Sequence, residues 1–424
     1  MIIDRAIANI IVDPKAYADP MRIDGAFSEL RRNAPFAMAE PDGYDPFWVV
    51  TRHADLLEVE RQAAIFANGA GCNNLLMRDA IDLARTVTGG DPNLIRTLVT
   101  VDGKIHKDLR GIAFPHFTPK AIKGAEEIVR SIADQFIDDM LANGPHCDFA
   151  RDVAFFYPLR VIMTLLGIPK EDEPYLLRLT QQLLGNTDPE LSRSGQAENG
   201  AIAMETLAKV MADFEAYFDE VTMKLRQTPA DNICSLIANA MIDGAYLGRR
   251  ELMGYYIIAA TAGHDTTSNT TAMAMWALAE RPQLLKDLKR DPDLLAPFIE
   301  ESIRWTTPIK TFMRTAVENG EVNGKKVAQG DWVMLSYHSA NRDEDVFADP
   351  FEFRIDRPAA AKHVAFGSGP HVCLGQHLAR LEMRVFWEQL LPRISSVNLT
   401  GTPTLTESNF VVGPKTVPLE FRVA

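Results

Sequence analysis

Phe366-Gly-Ser-Gly-Pro-His-Val-Cys373-Leu-Gly375 is the stretch on which the reading of this chain turns. It sets one cysteine in a glycine-rich turn, and apolar residues at helical spacing follow at once, from Leu374 to Leu391. The start of a helix carries partial positive charge that keeps sulfur deprotonated, so a cysteine placed there is suited to be a ligand. Gly367, Gly369 and Gly375 remove Cβ atoms where the backbone must lie close to a flat group or take a positive φ. For a lone cysteine among glycines the plain alternative is a packed structural thiol.

The string matches F-x-x-G-x-[HR]-x-C-x-G at every fixed position. It resembles the cysteine loop of the cytochrome P450 superfamily. The resemblance implies haem b, iron protoporphyrin IX, with the Cys373 thiolate as its axial metal ligand. A thiolate there pushes electron density through the iron and favours O–O cleavage. Phe366 would pack beside the porphyrin, and His371 would point a cation towards a propionate.

Upstream, Glu251 to Glu280 reads as one helix roughly 45 Å long at 1.5 Å per residue. Its middle, Ala262-Gly-His-Asp-Thr-Thr267, places a glycine and adjacent threonines where helix propensity is poor. Threonine hydroxyls compete for the i−4 carbonyl and bend the axis, so a local groove is expected. This segment resembles the superfamily's [AG]-G-x-[DE]-T-[TS] oxygen-activation motif. The resemblance implies that Thr266 donates a hydrogen bond through ordered water, and that Asp265 relays protons from solvent while bulk water is kept out.

Glu301 and Arg304 stand at i and i+3 on a predicted helix and share a face. They resemble the superfamily's structural ion pair, completed by Arg357. A haem also brings two propionates, and His106, Arg110, Arg314 and His371 match the family positions that meet them. Charge-assisted bonds of this kind are the strong ones. Gly375 belongs to the same cofactor-binding set.

By resemblance, the substrate pocket includes Ile258, Thr261, Ala262, Ile309, Thr311 and Val411. Such a lining is mostly apolar and selects by shape, so a compact terpenoid or an aromatic or alicyclic hydrocarbon is expected. The irregular stretches 67–101 and 185–200 are expected to form the pocket wall and a movable roof. Arg304-Trp-Thr-Thr-Pro-Ile-Lys-Thr-Phe-Met-Arg-Thr-Ala, Ser336-Tyr-His-Ser-Ala-Asn-Arg-Asp-Glu-Asp-Val-Phe and Asn409-Phe-Val-Val-Gly-Pro-Lys look like the α-terpineol-hydroxylating branch of bacterial class I enzymes. That branch takes electrons from a [2Fe-2S] ferredoxin and its flavin reductase. No fused reductase sequence is visible, so separate partners are expected, docking on basic residues such as Lys104, Lys107, Lys120, Lys123 and Arg384. A peroxide-driven peroxygenase would replace the Asp265-Thr266 pair, and a haem-based sensor would bring a partner domain. A cysteine hydrolase is disfavoured because His371 and Cys373, two apart on a turn, do not face each other.

Composition agrees. A chain of 424 residues, 46% hydrophobic and 24% charged, can bury a large core. No linker, charge block or repeat divides it, so one domain over residues 1–424 is expected. Its net charge of −13 disfavours nucleic acid and anionic membrane as partners. The N-terminus lacks a signal-peptide pattern, and the longest apolar stretch, Tyr255 to Gly263, is too short to span a bilayer. Cys72, Cys147, Cys234 and Cys373 form no C-x-x-C pair, which fits a reducing cytoplasm and argues against zinc or covalently attached haem.

The expected fold is mainly α with small peripheral sheets (α+β). Helices are predicted at Ala125–Leu141, Leu159–Leu166, Ala201–Leu225, Leu294–Trp305 and Leu374–Leu391. Strands are predicted at Phe47–Thr51, Lys326–Ser336 and Val417–Val423.

Overall fold

The computed structural model describes residues 1–424, and helices dominate it. Glu126–Ala142, Phe156–Leu166, Gly200–Gln227, Leu295–Thr306 and Gln376–Leu390 are helical, within a few residues of the bounds expected from apolar spacing. Proline marks the exits as expected: Pro282 begins a new helix after Glu280, and Pro392 lies in a 3-10 turn after Leu390. One contiguous cluster of 63 buried hydrophobic residues, from Val101 to Phe421, joins these helices, so they share a core rather than forming separate units.

Besides the helix expected over Glu251–Glu280, which is described with the site, two segments differ from expectation. Lys326–Ser336 divides into Lys325–Val327, which pairs with Gly320–Val322, and Trp332–Ser336 in a five-stranded sheet. Gln329 and Gly330 turn the chain between them, closed by the Asp331 N–H on the Ala328 carbonyl at 3.0 Å. The 67–101 stretch, read as irregular, contains a helix at Arg78–Thr88, closed by left-handed Gly89 at φ +75°. Its polar composition hid a three-residue apolar stripe, Ala80, Ile81 and Ala84.

The five-stranded sheet runs Phe36–Ala39, Phe47–Val50, Trp332–Ser336, Thr311–Ala316 and Phe66–Ala67. Trp332–Ser336 is central, and Thr311–Ala316 lies antiparallel between it and Phe66–Ala67, with Met313 opposite Met334. The side chains of Phe312 and Arg314 line the main cavity, while Met313 packs into a second core beneath the N-terminal helices. That alternation is the period-2 geometry of a strand.

Glu301 and Arg304 are fully buried and bidentate, both contacts 2.7 Å. Arg357 lies 3.3 Å from the same carboxylate. Arg304 also donates to the carbonyls of Asn341 and Pro350, so the charges are solvated by backbone. Just after this helix Thr307 takes φ +39°, held by its hydroxyl on the Arg304 carbonyl and by Asn341 Nδ2. The turn sends Pro308 and Ile309 into the cavity wall.

Glu301→Gln removes the charge that both arginines need. It should cost roughly 3–5 kcal/mol in reversible denaturant unfolding, whereas Arg354→Gln, on an exposed pair with Asp356, should leave the midpoint unchanged.

Candidate active site

Cys373 sits in a loop closed on itself: its N–H donates to the Phe366 carbonyl at 2.8 Å. Gly367 and Gly369 take φ of +66° and +67°, and a Cβ at Gly369 would lie 2.7 Å from the Glu60 carbonyl oxygen. Only glycine fits there. Burial pushes the Cys373 thiol up, but the N–H groups of Gly375 and Gln376 and the guanidinium groups of Arg110 and Arg380 favour thiolate. At Cys72, Cys147 and Cys234 burial pushes the thiol up to about 12. Phe366 lines the cavity with the Arg380 guanidinium 4.6 Å from its ring centroid.

Across the cavity the expected single helix is two, Arg249–Ala262 and Asp265–Glu280, interrupted at Gly263 and His264. A Cβ on Gly263 would meet Ile162 at 2.5 Å, so the close approach of the Phe156–Leu166 helix requires glycine. At the break the His264 ring does the work of a missing backbone donor. Its Nδ1 lies 2.9 Å from the Ala260 carbonyl, while the backbone N–H reaches only the Thr261 carbonyl at 3.5 Å. Thr266 Oγ1 lies 3.4 Å from the Ala262 carbonyl, the competition expected of threonine.

His264 is a site residue that sequence reasoning missed. It is fully buried, and its Nε2 lies 3.1 Å from Asp265 Oδ1 and 3.2 Å from Thr180 Oγ1. Burial opposes charge on this ring, yet Asp265 and the Ala260 carbonyl outweigh it and hold the pKa above the usual histidine value. Asp265 Oδ2 is buried without a partner. The sequence signal was the histidine beside an acid in a glycine break.

The four basic residues expected at the cofactor edge, His106, Arg110, Arg314 and His371, all line the cavity. They are not four free cations. Burial, then His371 and Arg110 beside it, push His106 down to about 4, so its ring is neutral; it lies tilted by 34° against the His371 ring with centroids 4.0 Å apart. His371 is matched by Asp102 at 3.1 Å. Arg110 donates to the Val372 carbonyl at 2.7 Å, and Arg314 lies 3.7 Å from the buried Glu60, itself bonded to Tyr337 at 2.6 Å. Asp102 and Glu60 carried no motif, and Tyr337 lay in a quoted stretch without a role; all three emerge as site residues only from tertiary contact.

One cavity joins these walls. Of its 41 lining residues 26 are hydrophobic, which makes it a site for an apolar guest with polar groups at chosen points. Ile258, Thr261, Ala262, Thr266, Ile309 and Val411 line it, as do Cys373 and Gly375. Thr311 does not: its hydroxyl is turned to the Asn409 carbonyl at 3.0 Å, and Pro308 and Phe312 take its place. Asn68, Asn73, Leu98 and Val99 come from the 67–101 wall. No residue of 185–200 lines the cavity, because Asp188 ties that segment to Lys415 at 3.0 Å and to the Glu407 N–H at 2.9 Å.

A haem fits these residues. A cysteine turned to one wall of the cavity faces a groove in the other, the glycines leave the cradle clear, and His106 Nε2 is buried and orphaned among the basic groups at the edge. Cys373 would be the iron ligand, with His106, Arg110, Arg314 and His371 towards the propionates.

The comparisons with known proteins agree with this geometry. The family model for cytochrome P450 matches residues 75–421. The chain is 42% identical over 419 residues to cytochrome P450-terp of a Pseudomonas species, covering 99% of this chain and 98% of that one. It is 30% identical to linalool 8-monooxygenase of Pseudomonas putida, over 95% and 96% of the two chains. The crystal structure of CYP108D1 from Novosphingobium aromaticivorans superposes with a TM-score of 0.90 at 40% identity, covering both chains in full. With a thiol loop, a broken helix and a basic cavity edge in register over the whole length of such relatives, the chain belongs to the cytochrome P450 family and is a P450 monooxygenase.

Proposed function

We propose that this monooxygenase inserts one oxygen atom from O2 into a compact apolar substrate, a terpenoid or an aromatic or alicyclic hydrocarbon, with electrons from a separate [2Fe-2S] ferredoxin and its flavin reductase. The observation that carries the reading is the opposition of Cys373 and the Gly263–Thr266 break across one largely apolar cavity. Haem b on the Cys373 thiolate would supply O2 binding and O–O cleavage. The relative named as a linalool monooxygenase supports a terpenoid.

The residues divide the remaining work. Apolar walls at Ile258, Ile309 and Val411 exclude water and hold substrate by shape. Thr266 presents a hydroxyl to the cavity from the break, and it is the group that would orient water there. Asp265 stands one residue away with one oxygen on His264 and the other unpartnered, which suits a carboxylate that takes up and passes on a proton. The His264 ring, itself in contact with the Thr180 hydroxyl, keeps that carboxylate in place.

A surface concavity beside the Gln376–Leu390 helix is lined by Lys123, His377, Arg380 and Arg384 but also by Glu126, Asp293, Glu300 and Glu388, with Arg380 paired to Glu300, so its charges are mixed. Donor docking then depends on the cations left without such partners, and the expected ones are unequal. Arg384 is committed to Glu126 and Glu388, and Lys104 to Asp108 and Asp243. Lys107, Lys120 and Lys123 are exposed and make no ion pair, so they are the ones available to an acidic ferredoxin.

The reduced, carbon monoxide-bound protein should show the long-wavelength Soret band of thiolate ligation, and Cys373→Ala should lose it while Cys72→Ala and Cys234→Ala keep it. Survival of the band in Cys373→Ala would remove the central assignment. Thr266→Ala should retain haem and substrate affinity but raise the peroxide formed per electron pair, and Asp265→Asn should slow turnover by about a hundredfold. Unchanged coupling and rate in both would take these residues out of the mechanism. Joint reversal of Lys107, Lys120 and Lys123 to Glu should slow ferredoxin-supported reduction about tenfold at low salt and flatten its salt dependence, with dithionite reduction as before. A donor indifferent to the reversal at low salt would place docking on another face.

A further inference from the structure

Arg380 stands one turn into the Gln376–Leu390 helix, and its guanidinium lies 4.6 Å from the centroid of the Phe366 ring. It lines the surface concavity and not the cavity. A carboxylate fixes it there: Glu300 accepts from Arg380 Nε at 2.6 Å and from Nη2 at 3.0 Å. The same carboxylate holds His363, whose Nε2 lies 3.2 Å from Glu300 Oε2 and whose ring centroid is 5.6 Å from that of Phe366. His363 Nδ1 accepts the Ala365 N–H at 3.3 Å, so Nε2 carries the ring proton and donates to Glu300. Burial opposes charge on Glu300, yet His363 and Arg380 outweigh it and hold its pKa down at about 2, so the pair is ionised at neutral pH. Phe366 thus has a fixed cation against its ring, while its carbonyl accepts the Cys373 N–H at 2.8 Å.

The two charges are unequal towards the sulfur. Arg380 acts on Cys373 directly, whereas Glu300 reaches the loop through Arg380 and His363. A positive charge near a thiolate draws electron density from it and eases reduction of the metal it binds, and a negative charge does the reverse. We propose that Arg380 is a positioning residue which, clamped by Glu300 against the Phe366 ring, sets the charge felt by the Cys373 sulfur and thereby the ferric–ferrous equilibrium of the bound iron. The couple is a one-electron reduction in which the thiolate stays ligated and no bond forms or breaks. The inference rests on the haem-thiolate reading above and adds to it a residue from outside the cavity.

The test is a redox titration of the substrate-free ferric holoenzyme with dithionite and mediator dyes, the ferrous carbon monoxide band being recorded alongside. Arg380→Met should move the equilibrium about threefold towards ferric iron, and Glu300→Gln, which leaves Arg380 uncompensated, about threefold towards ferrous iron. Arg380→Lys keeps the charge and should stay near wild type. All three should keep haem and the thiolate band, since both side chains reach the surface concavity. Opposite signs for the two members of one ion pair are the mark of charge, because lost packing would move both the same way. An unchanged equilibrium in either neutral variant, a shift in the same direction in both, or an Arg380→Lys that matches Arg380→Met overturns the proposal, as does loss of haem from Arg380→Met, which would make the residue structural. A wild type without the thiolate band would sink the haem-thiolate reading itself and this proposal with it.

Discussion

The buried carboxylate of Glu301 holds two arginines, and the arrangement around Cys373 depends on that one charge. Arg304 and Arg357 take the two sides of it, and their remaining donors bind the carbonyls of Asn341, Ala348, Asp349, Pro350 and Glu352. Asn341 in turn accepts the Val364 N–H at 2.7 Å, and Val364 leads into the Phe366–Gly375 loop. A carboxylate buried without its arginines would be far more costly than any packing gain, so the chain has one way to pass this point. The thiol is thereby presented at a fixed place, on a loop whose own regular structure is a single 3-10 turn at Gly369–His371.

The opposite wall is built on a different principle. A helix is interrupted where Ile162 approaches too closely for any residue but glycine, and a histidine side chain supplies the donor that the interruption removes. The break therefore carries little unsatisfied backbone, yet it leaves one oxygen of Asp265 without a partner and the Thr266 hydroxyl on only a long, 3.4 Å contact to the Ala262 carbonyl. A rigid loop and a locally opened helix are complementary demands of the proposed reaction: a metal ligand must not move, whereas groups that would pass protons need free valence.

The basic edge shows how local chemistry changes when tertiary neighbours are counted. Four motif residues suggested an array of cations, but His106 is kept neutral by burial and by the basic groups beside it, and His371 is hydrogen-bonded to Asp102. The edge is then a mixture of charge and neutral donors, which suits propionates that are themselves partly solvated. The same accounting separates the surface cations. Arg384 is neutralised locally by two glutamates, while Lys107, Lys120 and Lys123 are not, although all carry the same charge in the sequence.

The family, the helix-rich fold, the turn that carries Cys373 and the poor helix former at Gly263 were legible in the sequence because each rests on short-range order. Residues two to ten positions apart determine a turn, a helix face or a glycine-dependent break, and Cys373, Thr266 and Glu301 with Arg304 are local in that sense. Arg357, over fifty residues from Glu301, was found only because its family motif was recognisable. What the sequence could not determine involves pairs distant along the chain: Glu60 with Arg314, Asp102 with His371, Thr180 with His264, and Asp188 with Lys415. It also could not tell which of two faces a strand residue shows, so Thr311 was assigned to the cavity and Phe312 was not. Those outcomes depend on which surfaces meet when the core closes, and only the tertiary structure, by excluding water and bringing remote charges within hydrogen-bonding distance, decided them.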